Sequence, residues 1–158
     1  MKSISAQQVI DYLGMKPLPG EGGFYIETYR AAELTGQRNI CTAIYYLLTA
    51  NTFSRFHRLK SDEIWHFYSG DSVELVLLHP DATSTINILG HNLLDNEVCQ
   101  VVIPGQTWQG ARLEPGGSWA LMGCTVAPGF EFADCELAEK ASLIQKYPAM
   151  QPWIECLT

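Results

Sequence analysis

The sequence predicts an all-β fold, an antiparallel sandwich or barrel of which the jelly roll is the leading form. About ten short β-prone runs follow one another along the 158 residues. Turn signals rich in glycine and proline, such as 104–105 and 115–117, separate them. No strand–helix–strand alternation interrupts the series. At this length we expect one domain, 1–158.

Helices are predicted only near the two ends of the chain. The first covers residues 3–13, where Ser5 can be the N-cap and Gln8 its reciprocal partner in a capping box. The second covers Glu136–Tyr147, which has helical spacing of apolar residues and is ended by Pro148. The predicted architecture is therefore a β-barrel flanked by short helices.

Runs of β-branched and aromatic residues predict the strands between these helices. A polar stretch, 31–39, is predicted to be an exposed connection. The predicted strands are 24–30, 40–48, 56–59, 64–68, 73–79, 83–89, 99–103, 107–113, 119–126 and 130–134.

Composition and charge exclude several functional classes. The net charge of −7 and only 10 basic residues argue against nucleic-acid binding and against an electrostatic membrane anchor. No apolar run approaches the ~20 residues of a transmembrane helix, and the N-terminus lacks the apolar core of a signal peptide. The five cysteines are scattered without a C-x-x-C pair, which is neither a disulfide framework nor a zinc motif. We expect a cytoplasmic protein.

The chemistry-bearing side chains concentrate in residues 55–71. This stretch reads as a strand containing His57, a polar turn and a second strand. Because side chains alternate along a strand, Glu63, Trp65 and Phe67 share one face. If His57 faces the same interior, an imidazole and a carboxylate meet beside a large indole.

Two interpretations of His57 and Glu63 are open at this point. In the first, His57 is a general base, and Glu63 either fixes its tautomer or acts as the acid. In the second, His57 is a buried, hydrogen-bonded residue that helps to shape a pocket, and Glu63 is a solvated carboxylate of the turn. His66 points away from Glu63 and is predicted to be structural or to lie at a subunit interface.

Aromatic residues are candidates for a ligand-binding wall. Tyr46, Trp65, Phe67 and Trp108 could line a small-molecule cavity, since such pockets are largely apolar with a few placed polar groups. The alternative for each of them is plain core packing.

A polar group near the end of the strand 24–30 has two interpretations as well. Glu27, Tyr29 and Arg30 either form a solvated edge, which is the simpler reading, or close the mouth of a pocket.

Two motifs carry a family resemblance. His57, Glu63 and Gly70 resemble the first cupin motif, H-x-H-x(3–4)-E-x(6)-G, and residues 104–109 resemble the second, P-x-G-x-x-H. The amino-acid sequence over about residues 20–132 is similar to that of an uncharacterised subgroup of the RmlC-like cupin superfamily. The resemblance implies a double-stranded β-helix, the cupin barrel.

The chain departs from the metal-binding cupins at two positions. Leu59 and Gln109 stand where those proteins have histidines. His57, Glu63 and Gln109 would form a weak site for a divalent metal, because transition metals prefer imidazole-rich ligand sets. We therefore expect no cofactor, with Gln109 hydrogen-bonding a hydroxyl or carbonyl group of a ligand.

The resemblance implies a small-molecule-binding protein, with a metal-independent epimerase or isomerase of a sugar-like or polar carbonyl compound as the first hypothesis. The alternatives are a metal-dependent cupin oxygenase or isomerase and a non-catalytic binding module; fold alone does not choose among them. Since cupins pair through sheet edges, we also expect a homodimer.

Overall fold

Two antiparallel β-sheets packed face to face form the body of the protein, which confirms the predicted jelly roll. The computed structural model describes residues 4–158. In chain order, the strands of this range are β1 (Lys16–Pro17), β2 (Phe24–Arg30), β3 (Leu34–Thr35), β4 (Arg38–Asn39), β5 (Thr42–Thr49), β6 (Ser54–Arg58), β7 (Asp62–Gly70), β8 (Val73–Leu78), β9 (Ser84–Leu89), β10 (Gln100–Ile103), β11 (Trp108–Leu113), β12 (Trp119–Ala127) and β13 (Glu136–Leu137).

The chain crosses between the sheets repeatedly. The first sheet has the order β1-β2-β5-β12-β7-β10, the second has the order β13-β6-β11-β8-β9, and β3 and β4 form a separate hairpin. Consecutive strands such as β5, β6 and β7 thus alternate between the two sheets. This topology brings residues that are distant in sequence together on the inner faces.

The main core lies between the two sheets. The first sheet contributes Tyr46, Trp65 and Met122, and the second contributes Leu75 and Leu113, all of them buried. The alternation that the sequence predicts is confirmed over residues 63–67 of β7, where Glu63, Trp65 and Phe67 are buried and the residues between them are partly exposed.

A helix covers part of the outer face of the first sheet. This helix, α1 (Ala6–Leu13), has the predicted capping box: the Ser5 backbone N–H donates to Gln8 Oε1 at 2.9 Å, and the Gln8 N–H donates to Ser5 Oγ at 3.3 Å. Val9 and Ile10 are its buried residues. The predicted start at residue 3 lies outside the described residues.

The C-terminal helix prediction was too long at its start and missed a second helix. The helices here are α2 (Lys140–Lys146) and α3 (Gln151–Cys156). Residues 136–137 instead form β13, which pairs with β6. Glu139 then caps α2, since its carboxylate accepts hydrogen bonds from the N–H groups of the first turn.

Two connections differ from their predictions. The polar segment 31–39 contains the β3–β4 hairpin. The segment 130–134, predicted to be extended, ends in a 3₁₀ turn over Phe132–Asp134 that the Asp134 N–H closes on the Glu131 carbonyl at 2.9 Å. The Asp134 carboxylate pairs with Arg38 and Lys60, which favours the turn over an extended strand. Among residues 4–158, no helix is long and apolar enough to span a membrane.

The C-terminal helices cover the outer face of the second sheet, where Ile154 is fully buried against Phe56 and its neighbours. Replacing Ile154 with alanine should reduce the free energy of unfolding by about 2–5 kcal/mol, because a buried methyl-rich side chain is lost and a cavity remains. Urea unfolding measures this change.

The matched control is Leu94→Ala, since Leu94 is 96% exposed. Its free energy of unfolding should change by less than about 0.5 kcal/mol. Equal decreases in the free energy of unfolding of the two variants would mean that α3 does not pack against the second sheet as described.

Candidate functional site

A cavity of about 480 Å³ opens between the first sheet, β6 and the segment 130–132. Its volume lies in the range of about 300–1,000 Å³ that is usual for small-molecule sites. The inner part carries Glu21, His57 and Glu63, all three of them buried. Apolar side chains, including Leu59, fill much of the wall between these groups.

His57 lies on the inner face of β6 and is 2% exposed. Its Nδ1 is 2.7 Å from the Arg55 carbonyl oxygen. A carbonyl oxygen only accepts, so Nδ1 carries a proton and donates it. The neutral ring therefore has its lone pair on Nε2. The main chain of the same strand fixes this tautomer, rather than Glu63 as one of the sequence hypotheses proposed.

Glu21 is the acidic partner of His57, and sequence reasoning missed it. Its Oε2 lies 3.4 Å from His57 Nε2, and its Oε1 accepts from the Cys135 thiol at 3.2 Å. The Glu21 carbonyl also accepts from the Arg55 N–H at 2.7 Å, which ties the loop to β6. A carboxylate at this distance stabilises an imidazolium formed at His57.

Glycines set the conformation of the loop that carries Glu21. Gly22 and Gly23 have φ of +95° and +71°, values that favour glycine. A Cβ on Gly22 would lie 2.3 Å from the Phe53 carbonyl oxygen, so this loop admits no side chain there. An acidic residue inside a run of four turn-type residues, P-G-E-G-G, was the sequence signal that could have identified Glu21.

Glu63 faces His57 from the opposite sheet. It lies on β7, and its Oε2 accepts a 2.5 Å hydrogen bond from Gln109 Nε2 on β11. Gln109 is in turn the register partner of His57 on β6. Burial raises the pKa of Glu63 above its ordinary value, although the nearby imidazole and the Gln109 amide oppose the shift. A raised pKa favours the neutral acid, which can donate a proton.

Gln109 does not line the cavity. Its amide N–H is donated to Glu63, and its Oε1 is buried with no hydrogen-bond partner among the described residues. It therefore positions Glu63 instead of presenting a donor to a ligand, which differs from the role expected for it.

The aromatic residues that were predicted to line the cavity lie elsewhere in the structure. Tyr46, Trp65 and Phe67 belong to the core between the sheets, and none of them is on the cavity wall.

Trp108 packs on the outer side of the second sheet, with the Arg58 guanidinium 4.5 Å from its ring centre. Residues 108 and 109 are neighbours on one strand, so their side chains point to opposite faces. The aromatic residues on the wall are Tyr25, Phe130 and Phe132.

Charged side chains ring the mouth of the cavity. Glu27 and Arg30 both line it, which favours the second of the two sequence interpretations for them, whereas Tyr29 does not. The Arg30 guanidinium donates to both carboxylate oxygens of Glu27 and to Glu131 Oε1, which joins β2 to the segment after β12. Lys16 lies nearby, with its ammonium 5.3 Å from the Tyr25 ring centre.

Two thiols adjoin the buried carboxylates. Burial, reinforced by the neighbouring carboxylates, raises the pKa of Cys124 and of Cys135 above the usual range. Both thiols are therefore protonated near neutrality, and the reactive thiolate is suppressed.

The side chains on the wall do not fit a ready metal site. Within residues 4–158, no group of three or more histidine, cysteine, aspartate or glutamate side chains is arranged to hold a metal ion. Leu59 on the wall supplies no donor atom, and Gln109 offers its amide N–H to Glu63. A divalent cation would have to break the Glu63–Gln109 hydrogen bond to gain Glu63 as a ligand, and His57 Nε2 with Glu21 alone would be too few ligands for a stable site.

Comparison with known proteins shows several similar chains. Uncharacterized protein YML079W of Saccharomyces cerevisiae is 33% identical over 101 residues, which are 61% of this chain and 50% of that protein. The chain thus spans about half the length of this curated relative. The crystal structure of protein SO0799 from Shewanella oneidensis is 32% identical, with a TM-score of 0.92 over 99% of this chain and 98% of that one.

A more distant likeness extends to a named cupin. A cupin 2 conserved barrel domain protein from Rhodopseudomonas palustris is 15% identical, with a TM-score of 0.58 over 82% of this chain and 80% of that one. At this identity the likeness shows the fold alone.

A sequence profile described as "Cupin superfamily (DUF985)" matches residues 7–138. This range contains both motifs and the whole of the inner site, from Glu21 to Gln109. The barrel, the cavity and the family together support a small-molecule-binding protein, and the chain belongs to the cupin superfamily.

Proposed function

We propose that this cupin catalyses metal-independent proton transfer next to a carbonyl group, as an isomerase or epimerase of a small polar carbonyl compound. The observation that carries the proposal is the state of His57: its Nδ1 proton is held by the Arg55 carbonyl, which leaves Nε2 as a base beside Glu21 at a cavity wall. Glu63, a buried acid with a raised pKa, lines the same cavity.

The chemistry balances without a cofactor. His57 Nε2 takes the proton from the carbon next to the carbonyl, and the C–H electron pair forms the C=C bond of an enol. The carbonyl π electrons move to oxygen, which takes the proton of Glu63. The Glu21 carboxylate stabilises the imidazolium that forms. Return of a proton to carbon, and of the hydroxyl proton to Glu63, completes an isomerisation or an epimerisation.

The base is tested by proton exchange. Wild-type protein in D₂O should exchange the α-protons of a carbonyl substrate, with dihydroxyacetone as the first probe, and ¹H NMR follows the loss of signal. His57→Gln should slow exchange by about 10²–10⁴-fold, since that is the usual contribution of a general base. Glu21→Gln should slow it by about ten- to hundredfold, because a hydrogen bond to a charged group contributes roughly 1.5–3 kcal/mol.

Glu155→Gln is the matched control, because it removes an exposed carboxylate outside the cavity. Its exchange rate should equal that of the wild type. Exchange by the His57→Gln variant at the wild-type rate would show that His57 is not the base. A ligand that binds but shows no α-proton exchange would indicate a non-catalytic binding module.

The raised pKa of Glu63 has a measurable consequence for stability. Its folded-state pKa lies above the ordinary value of 4.5, so the folded protein holds this proton more tightly than the unfolded chain does. The corresponding stability is present in full below about pH 4.5 and is lost as the pH rises through the folded pKa.

Glu63→Gln removes this titration and keeps an acceptor for the Gln109 amide. From about pH 4 to about pH 8, the free energy of unfolding of the wild type should fall relative to that of the variant, because only the wild type loses this proton as the pH rises. Urea unfolding at each pH gives both values. A difference that stays constant over this range would mean that Glu63 is not held as a neutral acid.

We also propose that the protein is a homodimer that pairs through the edge of the first sheet. β10 is an edge strand there, and Val102 on it and Tyr68 on the adjacent β7 are 56% and 45% exposed. Sedimentation velocity at low micromolar concentration should give a dimer, and Val102→Lys should shift it toward the monomer.

Ile86→Lys is the control for the homodimer, because Ile86 is 44% exposed on β9, the edge strand of the second sheet. It should leave the sedimentation coefficient unchanged. A monomeric wild type would contradict this proposal.

A further inference from the structure

We infer that the ligand of this cavity is uncharged: a neutral carbonyl or hydroxyl compound that carries no phosphate, carboxylate or ammonium group. The inference rests on the proposal that the cavity is the ligand site, and it names the class of ligand. Its basis is that the charged groups on the wall, apart from Lys16, are either paired within the protein or needed by the proposed reaction.

Arg30 has the position of an anion receptor but no donor left for an anion. A guanidinium has five N–H groups. Here Nε and Nη2 donate to the two oxygens of Glu27, Nη1 donates to Glu131 and to Asn39 Oδ1, and Nη2 also donates to the Phe130 carbonyl. These five hydrogen bonds account for all five N–H groups. A phosphate or carboxylate would have to displace one of them.

The carboxylates are committed in the same way. Both oxygens of Glu27 accept from Arg30, and Glu131 pairs with the same guanidinium. Glu21 Oε1 accepts from the Cys135 thiol, and Glu63 accepts from Gln109. Glu21 Oε2 lies 3.4 Å from His57 Nε2, and this contact becomes an ion pair when His57 takes up the substrate proton. An ammonium group of a ligand bound there would occupy Nε2 and block the proposed base.

Lys16 is the exception, and its setting does not favour anions. It is exposed at the rim, where its ammonium faces the Tyr25 ring. The wall carries four glutamates against Lys16 and Arg30. A ligand with a negative charge would therefore enter a site that is neutral or negative, at a cost in desolvation without a free partner.

The rest of the wall suits a neutral molecule with an apolar side. Leu18, Ile44, Leu59 and Val126 contribute aliphatic surface, and Phe130 contributes an aromatic side chain. The polar atoms at the inner end can donate to or accept from hydroxyl and carbonyl groups, which need no counter-ion.

A matched set of probes tests the inference: glucose, glucose 6-phosphate, glucuronate and glucosamine share a carbon skeleton and differ in charge. Dihydroxyacetone and its phosphate form a second set. Each is titrated to about 10 mM by calorimetry, well above the millimolar Kd of a weak ligand. The neutral member of a set should bind at least about tenfold more tightly than its charged analogues. Preference for a charged member, or no binding by any member, would overturn the inference.

The double variant Glu27→Gln/Glu131→Gln tests the cause. Glutamine keeps an acceptor for Arg30 at both positions but removes the two negative charges. Affinity for the phosphorylated probes should rise by roughly three- to tenfold over that of the wild type. Glu114→Gln/Glu155→Gln removes the same charge outside the cavity and should leave that affinity unchanged. Equal gains in both double variants would mean that net charge, rather than Arg30 pairing, excludes anions.

The outcomes separate this inference from the proposed function. A neutral probe that binds and shows no α-proton exchange contradicts the proposed proton transfer but supports an uncharged ligand. A charged probe that binds more tightly than its neutral analogue and exchanges its α-protons supports proton transfer but overturns the inference that the ligand is uncharged.

Discussion

The buried hydrogen bond from Gln109 to Glu63 is the constraint on which the site depends. It joins the two sheets at a point where the interior changes from aliphatic packing to polar groups. A carboxylate buried there without a partner would be costly, and both the amide and the neutral acid form reduce that cost. Because Gln109 is the register partner of His57, the same pairing sets the acid and the imidazole on facing sheets of one hollow.

The site is assembled from segments that are far apart in sequence, and each is fixed by a short-range requirement. His57 is oriented by the carbonyl two residues before it, and Glu21 by a loop whose glycines leave no room for side chains. Arg30 closes the mouth by joining β2 to the segment after β12. The charges that Arg30, Glu27 and Glu131 carry at the mouth are therefore balanced in local pairs.

The barrel was predictable because strand alternation and turn residues are local signals that the fold obeys. The motif residues Glu63 and Gln109 are hydrogen-bonded, and Gln109 is the register partner of His57, although Gln109 does not line the cavity. Glu21 escaped prediction because its role depends on where a loop meets β6, which no local pattern states. Trp108 was a candidate for the cavity wall, but it is the neighbour of Gln109 on β11, and strand alternation turns its side chain to the opposite face. The C-terminal helix was predicted to begin too early, because the helical spacing of its apolar residues does not show that residues 136–137 pair with β6 as a strand.

The distribution of the cysteines has a practical consequence. Burial, reinforced by nearby carboxylates, raises the pKa of Cys124 and Cys135 and keeps these thiols protonated, whereas Cys99 and Cys156 are exposed and Cys41 is partly exposed. Maleimide and iodoacetamide reagents react with thiolates, so they should modify the two outer thiols and spare the inner pair. A fluorophore or spin label can thus be attached to the native chain at its surface, without replacing a single residue of the hollow it is meant to observe.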